Sequence, residues 1–359
     1  MAFDQERTVR GANLGPATLQ STRKIFLAAS NHGRAWSVFT DNLNPRYDSG
    51  RFNPFSPNEA PAFLFLGPVS PGAWLLSVPP RGAALAIIWQ TRFKMLLGLH
   101  HVTGLAGNAQ ANLEYYTQSL RLRLVKRTVN FDDPAAYHLY FGDQQGTPGT
   151  LLTFFPGFQR KPTTGSGQIV SVEYSAPAKP DADPDGTNLD IVPGHEPRLH
   201  SVTLCENDYE PTARFLELLG FERIGAEKHL HRFTLAGGAA RINILHDPGV
   251  ARGKLGAGAF HHVAFRVRDE TAQLAWRDRL RKAGVQVSPV KDRLYFHSIY
   301  FREPGGALFE IATDGPGFLI DEPEEMLGRS LCLPPWLESA RQSIEARLTP
   351  LSDFAQTFP

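Results

Sequence analysis

Leu99-His100-His101-Val102-Thr103 is a short apolar run built around two histidines, and its pattern returns twice, as Leu199-His200-Ser201-Val202-Thr203 and as Phe260-His261-His262-Val263-Ala264. Self-similarity of this kind marks internal repeats. Each opening is followed by the same grammar. After the first, Asn108 reads as a helix cap with Leu113, Tyr116 and Leu120 on one face, and strands are expected over 122–129, 137–141 and 150–155. After the second, a helix capped by Asp208 is closed by Gly220, and the last strand covers 239–245. After the third, the helix lies between Asp269 and Gly284, with strands over 285–290, 295–301 and 307–312. Each unit reads β-α-β-β-β, an α+β architecture. One such sheet leaves an apolar face open, so units must pair.

Working outward, the first unit takes residues 96–160, the third 199–250 and the fourth 258–320. A second unit is due over 166–198 and has its opening strand at 168–174. The stretch that follows is rich in Pro and Asp (Pro177, Pro180, Asp181, Asp183, Pro184, Asp185) and can hold little of a helix and three strands. The expectation is tandem βαβββ units pairing into half-barrel sheets, with the second unit truncated. Unit three then lacks a partner, and its open apolar face calls for a subunit, the N-terminal segment or a ligand to cover it. A homo-oligomer is therefore one option, which the sequence does not fix. Residues 321–359 read as a helical tail, with an amphipathic helix from Pro334 to Leu348.

Residues 1–94 differ from the rest: they hold nine of the 28 prolines and ten Lys and Arg against five Asp and Glu, without sustained periodicity. They read as an irregular extension. Because Met95 directly precedes the first patterned element, a gene-model artefact and a genuine extension both stay open. Overall, 42% hydrophobic and 20% charged residues with a net charge of +1 describe a soluble globular protein. Such a balance gives no electrostatic case for nucleic acid or an anionic membrane as partner. Cys205 and Cys332 are too few for a disulfide framework or a thiolate zinc cage, and both read as buried thiols in a reducing compartment. The most apolar stretch, 61–91, is broken by Pro68, Pro71, Pro79, Pro80 and Arg81, short of a membrane span. The start does not read as a signal peptide. The expected location is the cytoplasm.

Aligning the strand ends places three pairs in equivalent slots: His101 with Phe154, Ser201 with Ile242, and His262 with Glu310. Two imidazoles and one carboxylate on rigid strands match the facial triad of non-haem Fe(II) oxygenases, which leaves positions open for substrate and O₂. Taken singly, a buried His at a strand start is more often a core histidine. An unpaired carboxylate inside Leu308-Phe309-Glu310-Ile311 is harder to dismiss, because burying it is costly. By alternation, His100 and His261 fall on the opposite strand face, where they are structural unless strand twist brings them into outer-shell roles. Asp314 and His246 read as loop or turn residues. His195, His200, His229 and His231 have no repeat partner and read as surface or pocket-rim groups.

The motifs His-His-Val-Thr (100–103), Thr-Val-Asn-Phe-Asp-Asp-Pro (128–134), Tyr-His-Leu-Tyr-Phe-Gly-Asp (137–143), Gly-Thr-Pro-Gly-Thr (146–150) and Ser-Ile-Tyr-Phe-Arg-Glu-Pro-Gly-Gly-Ala-Leu-Phe-Glu (298–310) resemble the vicinal oxygen chelate superfamily. More narrowly, the chain over about 96–347 is similar to its hydroquinone-type ring-cleaving dioxygenases. That resemblance implies iron ligation by the second His of each pair and the closing Glu, which are His101, His262 and Glu310. It also implies pocket roles for Arg293 and Tyr300 in orienting a phenolic substrate. Taken alone, Arg293 would read as a solvated surface charge and Tyr300 as core packing. Thr103 lies two residues past His101 on the same face and lines the same cavity.

The expected reaction is cleavage of a hydroquinone or catechol-type diol by O₂ with Fe(II), Mn(II) being the alternative ion. Arg293 or Tyr300 would bond the phenolate, and Tyr300 or a nearby His would supply a proton. Two alternatives share the fold. A glyoxalase-like isomerase or lyase usually needs a fourth protein ligand, where the alignment places Phe154. A metal-free binding protein of the bleomycin-sequestering kind would lack the triad.

Overall fold

The computed structural model describes residues 95–178 and 182–352, and of the first 94 only two antiparallel strand pairs, Ile25–Ala29 with Trp36–Thr40 and Phe63–Leu64 with Leu76–Ser77. The expectations for 1–94 otherwise lie outside the described residues, as does the tail beyond Ser352.

The first unit consists of β1 (Leu99–Ala106), α1 (Ala109–Glu114), β2 (Arg123–Asn130), β3 (Asp133–Gly142) and β4 (Leu151–Pro156). Asn108 caps α1, its side chain accepting from Ala111 N, and a π-helical turn, Tyr115–Ser119, carries the chain on so that Tyr116 and Leu120 stay buried. Two strands follow, β5 (Gln168–Ala176) and β6 (Leu189–Pro193), paired in parallel. The next unit has β7 (Arg198–Glu206), α2 (Glu210–Leu219), β8 (Phe221–Glu227), β9 (Leu230–Leu235) and β10 (Arg241–His246). Its helix ends at Gly220, whose φ of 96° suits the left-handed cap. The last has β11 (Phe260–Val267), α3 (Glu270–Lys282), β12 (Lys291–Asp292), β13 (Phe296–Arg302) and β14 (Leu308–Pro316), with Asp269 capping α3.

Two sheets result. The larger has eight strands in the order β12-β13-β14-β11-β1-β4-β3-β2, so the first and last units join edge to edge through the antiparallel pair β1–β11. The smaller runs β6-β5-β7-β10-β9-β8. The helices cover one face of each sheet, and Val102, Tyr116, Phe154, Val202, Leu216, Ile242, Val263, Trp276 and Phe309 belong to one apolar core. The other face of the large sheet curls around a smaller cluster that includes Leu151, Ala264, Tyr295 and Phe296. This is the α+β half-barrel architecture expected from the repeat. No helix among the described residues is long and apolar enough to cross a membrane.

Several local expectations change. Residues 285–290 form no regular strand; β12 is two residues long and Val287 makes only an isolated bridge to Phe301. Asp314 lies within β14 and is held by Arg266, and His246 ends β10; neither is a loop residue. The tail packs Ile344 and Leu348 inward, but its helix shrinks to α4 (Arg341–Glu345), because Pro334 and Pro335 precede it and a 3₁₀ turn, Glu338–Ala340, takes up the start. Cys205 is buried as expected, whereas Cys332 is half-buried. The open face of the small sheet is polar rather than apolar. On it Ser201 donates to Glu173, Arg241 pairs with the same carboxylate at 2.9 Å, and Asn243 donates to Thr203.

Candidate metal centre

At the seam of the large sheet, Ala264 is in register with His101 on one side and Glu310 on the other, while His262 is in register with Thr103. A small residue between two long ones lets their side chains converge. His262 Nε2 lies 2.9 Å from Glu310 Oε2 and 3.2 Å from His101 Nε2, and His101 Nε2 lies 3.4 Å from Glu310 Oε2. All three residues are buried. Ser298 donates to Glu310 Oε1, whereas Oε2 is buried and makes no hydrogen bond.

That orphaned oxygen and the two nitrogens face a common point. Donors about 2.1 Å from one ion at right angles to each other stand about 3 Å apart, so the cluster fits a divalent cation. Burial opposes the charge of Glu310, yet His101 and His262 outweigh it and hold the carboxyl well below the usual range. A second acidic group, Asp321, Glu322 and Cys332, already surrounds a cation: Lys126 Nζ lies 2.6 Å from Asp321, contacts Glu322 and stands 3.8 Å from Cys332 Sγ.

His100 and His261 depart from the alternation expected of them. Each sits where the β1–β11 register slips by a residue, His261 between Phe260 and His262, and His100 opposite the step from Ala264 to Phe265. Such bulges re-aim a side chain. His100 Nδ1 thereby lies 2.9 Å from His101 Nδ1, and His261 Nδ1 lies 2.8 Å from His262 Nδ1. Burial above all, then the neighbouring imidazole, pushes each of them down to about 3, so both are neutral. The Thr313 carbonyl 3.1 Å from His100 Nε2 can only accept, which fixes the proton of His100 there and leaves its Nδ1 as acceptor. His101 must then carry its proton on Nδ1, and its Nε2 lone pair is free to face the triad centre.

Arg293 and Tyr300 stand over the same site. Arg293 Nε donates to the Tyr300 hydroxyl at 3.1 Å, its guanidinium lies 5.2 Å from the Tyr300 ring, and Nη2 reaches Asp132 at 2.8 Å. Burial works against the charge of Arg293, but Tyr300 and Asp132 more than offset it. The Tyr300 ring meets His262 edge-on at 5.9 Å, and burial keeps its hydroxyl protonated. Thr103 Oγ1 is 3.0 Å from His262 Nε2.

The register corrects two of the aligned slots. His101 pairs with Leu151 and Thr103 with Thr153, as His262 pairs with Leu308 and Ala264 with Glu310. The counterpart of Glu310 in the first unit is therefore Thr153. Phe154 points the other way, its ring against Gly104 and Tyr116 in the core. In the third unit the counterpart is Asn243, one residue beyond the core residue Ile242. The turns before these strands differ by one residue, and a slip of one exchanges the faces of a strand. The slip also hid Thr153 from the sequence reading. His138 and Tyr140 are two apart on β3 and so share a face, a signal that was available.

Comparisons with known proteins identify the family. Residues 198–311 match the sequence profile of the Glyoxalase/Bleomycin resistance protein/Dioxygenase superfamily. A Bacillus subtilis (strain 168) protein named "Putative ring-cleaving dioxygenase MhqO" is 38% identical over 303 residues, covering 72% of this chain and 97% of that protein. "Chlorohydroquinone/hydroquinone 1,2-dioxygenase" of Sphingobium indicum is 32% identical over 306 residues, covering 69% and 94%. A crystal structure of a "putative dioxygenase" from Bacillus subtilis superposes with a TM-score of 0.67 at 37% identity, covering 72% of this chain and 98% of that one. By these measures the chain belongs to the glyoxalase/bleomycin resistance/dioxygenase (vicinal oxygen chelate) superfamily, in its family of ring-cleaving dioxygenases.

Proposed function

We propose that this protein is a non-haem Fe(II) enzyme that cleaves the ring of a hydroquinone-type aromatic diol with O₂. The reading is carried by the convergence of His101 Nε2, His262 Nε2 and Glu310 Oε2 on one buried point, with the orphaned carboxylate oxygen aimed at it. Family membership supports the reaction class, and the name of the Sphingobium relative supports the diol. His101, His262 and Glu310 would hold the ion, which supplies acidification of a bound hydroxyl and a route for electron density from the ring to O₂.

The remaining steps belong to the side chains. Arg293 offers a fixed positive charge to the substrate oxygen, and the Tyr300 hydroxyl, kept protonated by burial, donates to it or delivers a proton as the ring opens. His100 and His261 keep the ligand imidazoles in one orientation. Leu151, Ala264 and Phe296 give the floor an apolar surface for an aromatic ring.

The test is anaerobic loading of the full chain with Fe(II), then measurement of O₂ uptake on adding methylhydroquinone and, separately, catechol. One iron per chain and O₂ uptake with methylhydroquinone are expected. In His101→Ala, His262→Ala and Glu310→Ala, bound iron and O₂ uptake should both fall to background. Full activity in any one of these variants removes that residue from the ligand set, and uptake with catechol alone would replace the substrate class.

A further inference from the structure

The sheet that holds the triad also holds a chain of hydrogen bonds that the reaction as written above does not use. Thr103 Oγ1, 3.0 Å from His262 Nε2, is 2.7 Å from Thr153 Oγ1. Thr153 Oγ1 is 2.9 Å from His138 Nε2, and His138 Nδ1 is 2.8 Å from the Tyr140 hydroxyl. Both threonines are fully buried, and Tyr140 is buried against Tyr295 and Phe318. The placement follows from register: His262, Thr103, Thr153 and Tyr140 are successive partners across β11, β1, β4 and β3, with His138 two residues from Tyr140 on the same face.

Every member of this chain is a hydroxyl or an imidazole, which both donates and accepts, so the whole line can point either way. An ion held by His262 Nε2 leaves that nitrogen without a proton to give. The Thr103 hydroxyl is then turned over to whatever else occupies the site. We propose that Thr103, Thr153 and His138 form a proton path along which a substrate hydroxyl loses its proton and the product regains it, with His138 as the group that stores it. This rests on the diol reading above.

The balance is simple. The substrate O–H bond breaks and an O–H bond forms on Thr103; Thr103 passes its own proton to Thr153, and Thr153 passes its own to His138 Nε2. The site then holds a phenolate, and His138 is an imidazolium whose Nδ1–H donates to the Tyr140 oxygen. No electrons change hands, and the reverse sequence restores every group. The groups acting on His138 suit a temporary store. Burial disfavours its charge, so the proton stays only while a negative charge stands in the site. His138 acts on the substrate through the two threonines and is a positioning residue in that sense.

Thr153→Val keeps the shape of the strand and removes one link, while Thr153→Ser keeps the hydroxyl. Both are compared with the wild type as full-length, iron-loaded protein. Anaerobic titration with 4-nitrophenol, whose phenol and phenolate absorb differently, reads the ionisation of the bound probe without turnover. In Thr153→Val its midpoint should rise by about one pH unit or more. The kcat for methylhydroquinone should fall roughly a hundredfold, with KM within about twofold and iron content unchanged. Thr153→Ser should behave as the wild type. An unchanged midpoint and kcat in Thr153→Val overturn the path, as does a Thr153→Ser variant equally impaired. Should Thr153→Val fail to fold, His138→Gln carries the same expectations and the same refutation. If the wild type consumes no O₂ with methylhydroquinone, the diol reading falls, and the nitrophenol midpoint still decides the path by itself.

Discussion

Asp132 lies between β2 and β3 in the first unit, yet its carboxylate holds Arg293 of the last unit at 2.8 Å, with Lys291 3.6 Å away. Burial opposes its charge, but Arg293 outweighs that and keeps the carboxyl below its usual range. With Nε committed to Tyr300 and Nη2 to Asp132, the guanidinium has one orientation over the site. Its free counterpart would sample many, and ordering a long side chain costs about 1–2 kcal/mol. Asp132→Ala should therefore raise KM for the diol by roughly three- to tenfold, with a smaller change in kcat; the carboxylate is half-exposed, which caps the effect. Steady-state kinetics decides, and an unchanged KM removes Asp132 from the site. At this scale the sequence exposed residues whose chemistry is unusual for their surroundings: His101, His262 and a carboxylate in an apolar strand. Arg293 and Tyr300 were legible only through resemblance. Thr153 was not picked out, because its significance depends on which face β4 presents, and a one-residue difference between turns reverses that.

The elements were legible where periodicity was sustained, as in β1, α3 and β14, and were lost where it lapsed. Residues 285–290 are apolar enough for a strand but pair at a single bridge, and β6 lay in a Pro- and Asp-rich stretch that gave no strand signal. The two bulges at His100 and His261 could not be read either, since a bulge is a property of the pair of strands. Packing across β1 and β4 shows how tightly the seam is set. Gly104 is in register with Phe154, and a Cβ there would stand 2.5 Å from Phe154 Cε1. That ring is buried and packs against Tyr116 at 4.4 Å and Phe141 at 6.2 Å, so making way for a Cβ disturbs those neighbours. Gly104→Ala should cost about 1–3 kcal/mol by overpacking and lower the melting temperature by several degrees. It should also reduce iron retention, because Thr103 and His101 precede it on the same strand. A variant that melts with the wild type would mean that the ring can move.

Across the whole molecule, the two sheets meet where the end of β7 faces the turn between β13 and β14. Glu206 is buried there beside Glu303. Glu303 is fully engaged, accepting from Thr212, Gly305 N and Ala307 N, while Glu206 accepts from Ser166 at 3.4 Å and its Oε1 is left without a hydrogen bond. The contact also requires Gly305, since a Cβ at that position would overlap the Glu206 carboxylate. Burial first, and then Glu303, pushes Glu206 up to about 8; Ser166, Arg252 and the Gly167 backbone pull the other way. The unfolded chain titrates this group near 4.3, so the folded state binds the proton more tightly. Stability from this site is complete below that pH and is lost progressively as pH rises through about 8. Glu206→Gln keeps the shape and removes the titration. Its melting temperature should change less than that of the wild type between pH 5 and 9, and above pH 8 the variant should be the more stable of the two. Calorimetry across that range is the measurement, and parallel curves for the two proteins would mean that Glu206 does not take up a proton on folding.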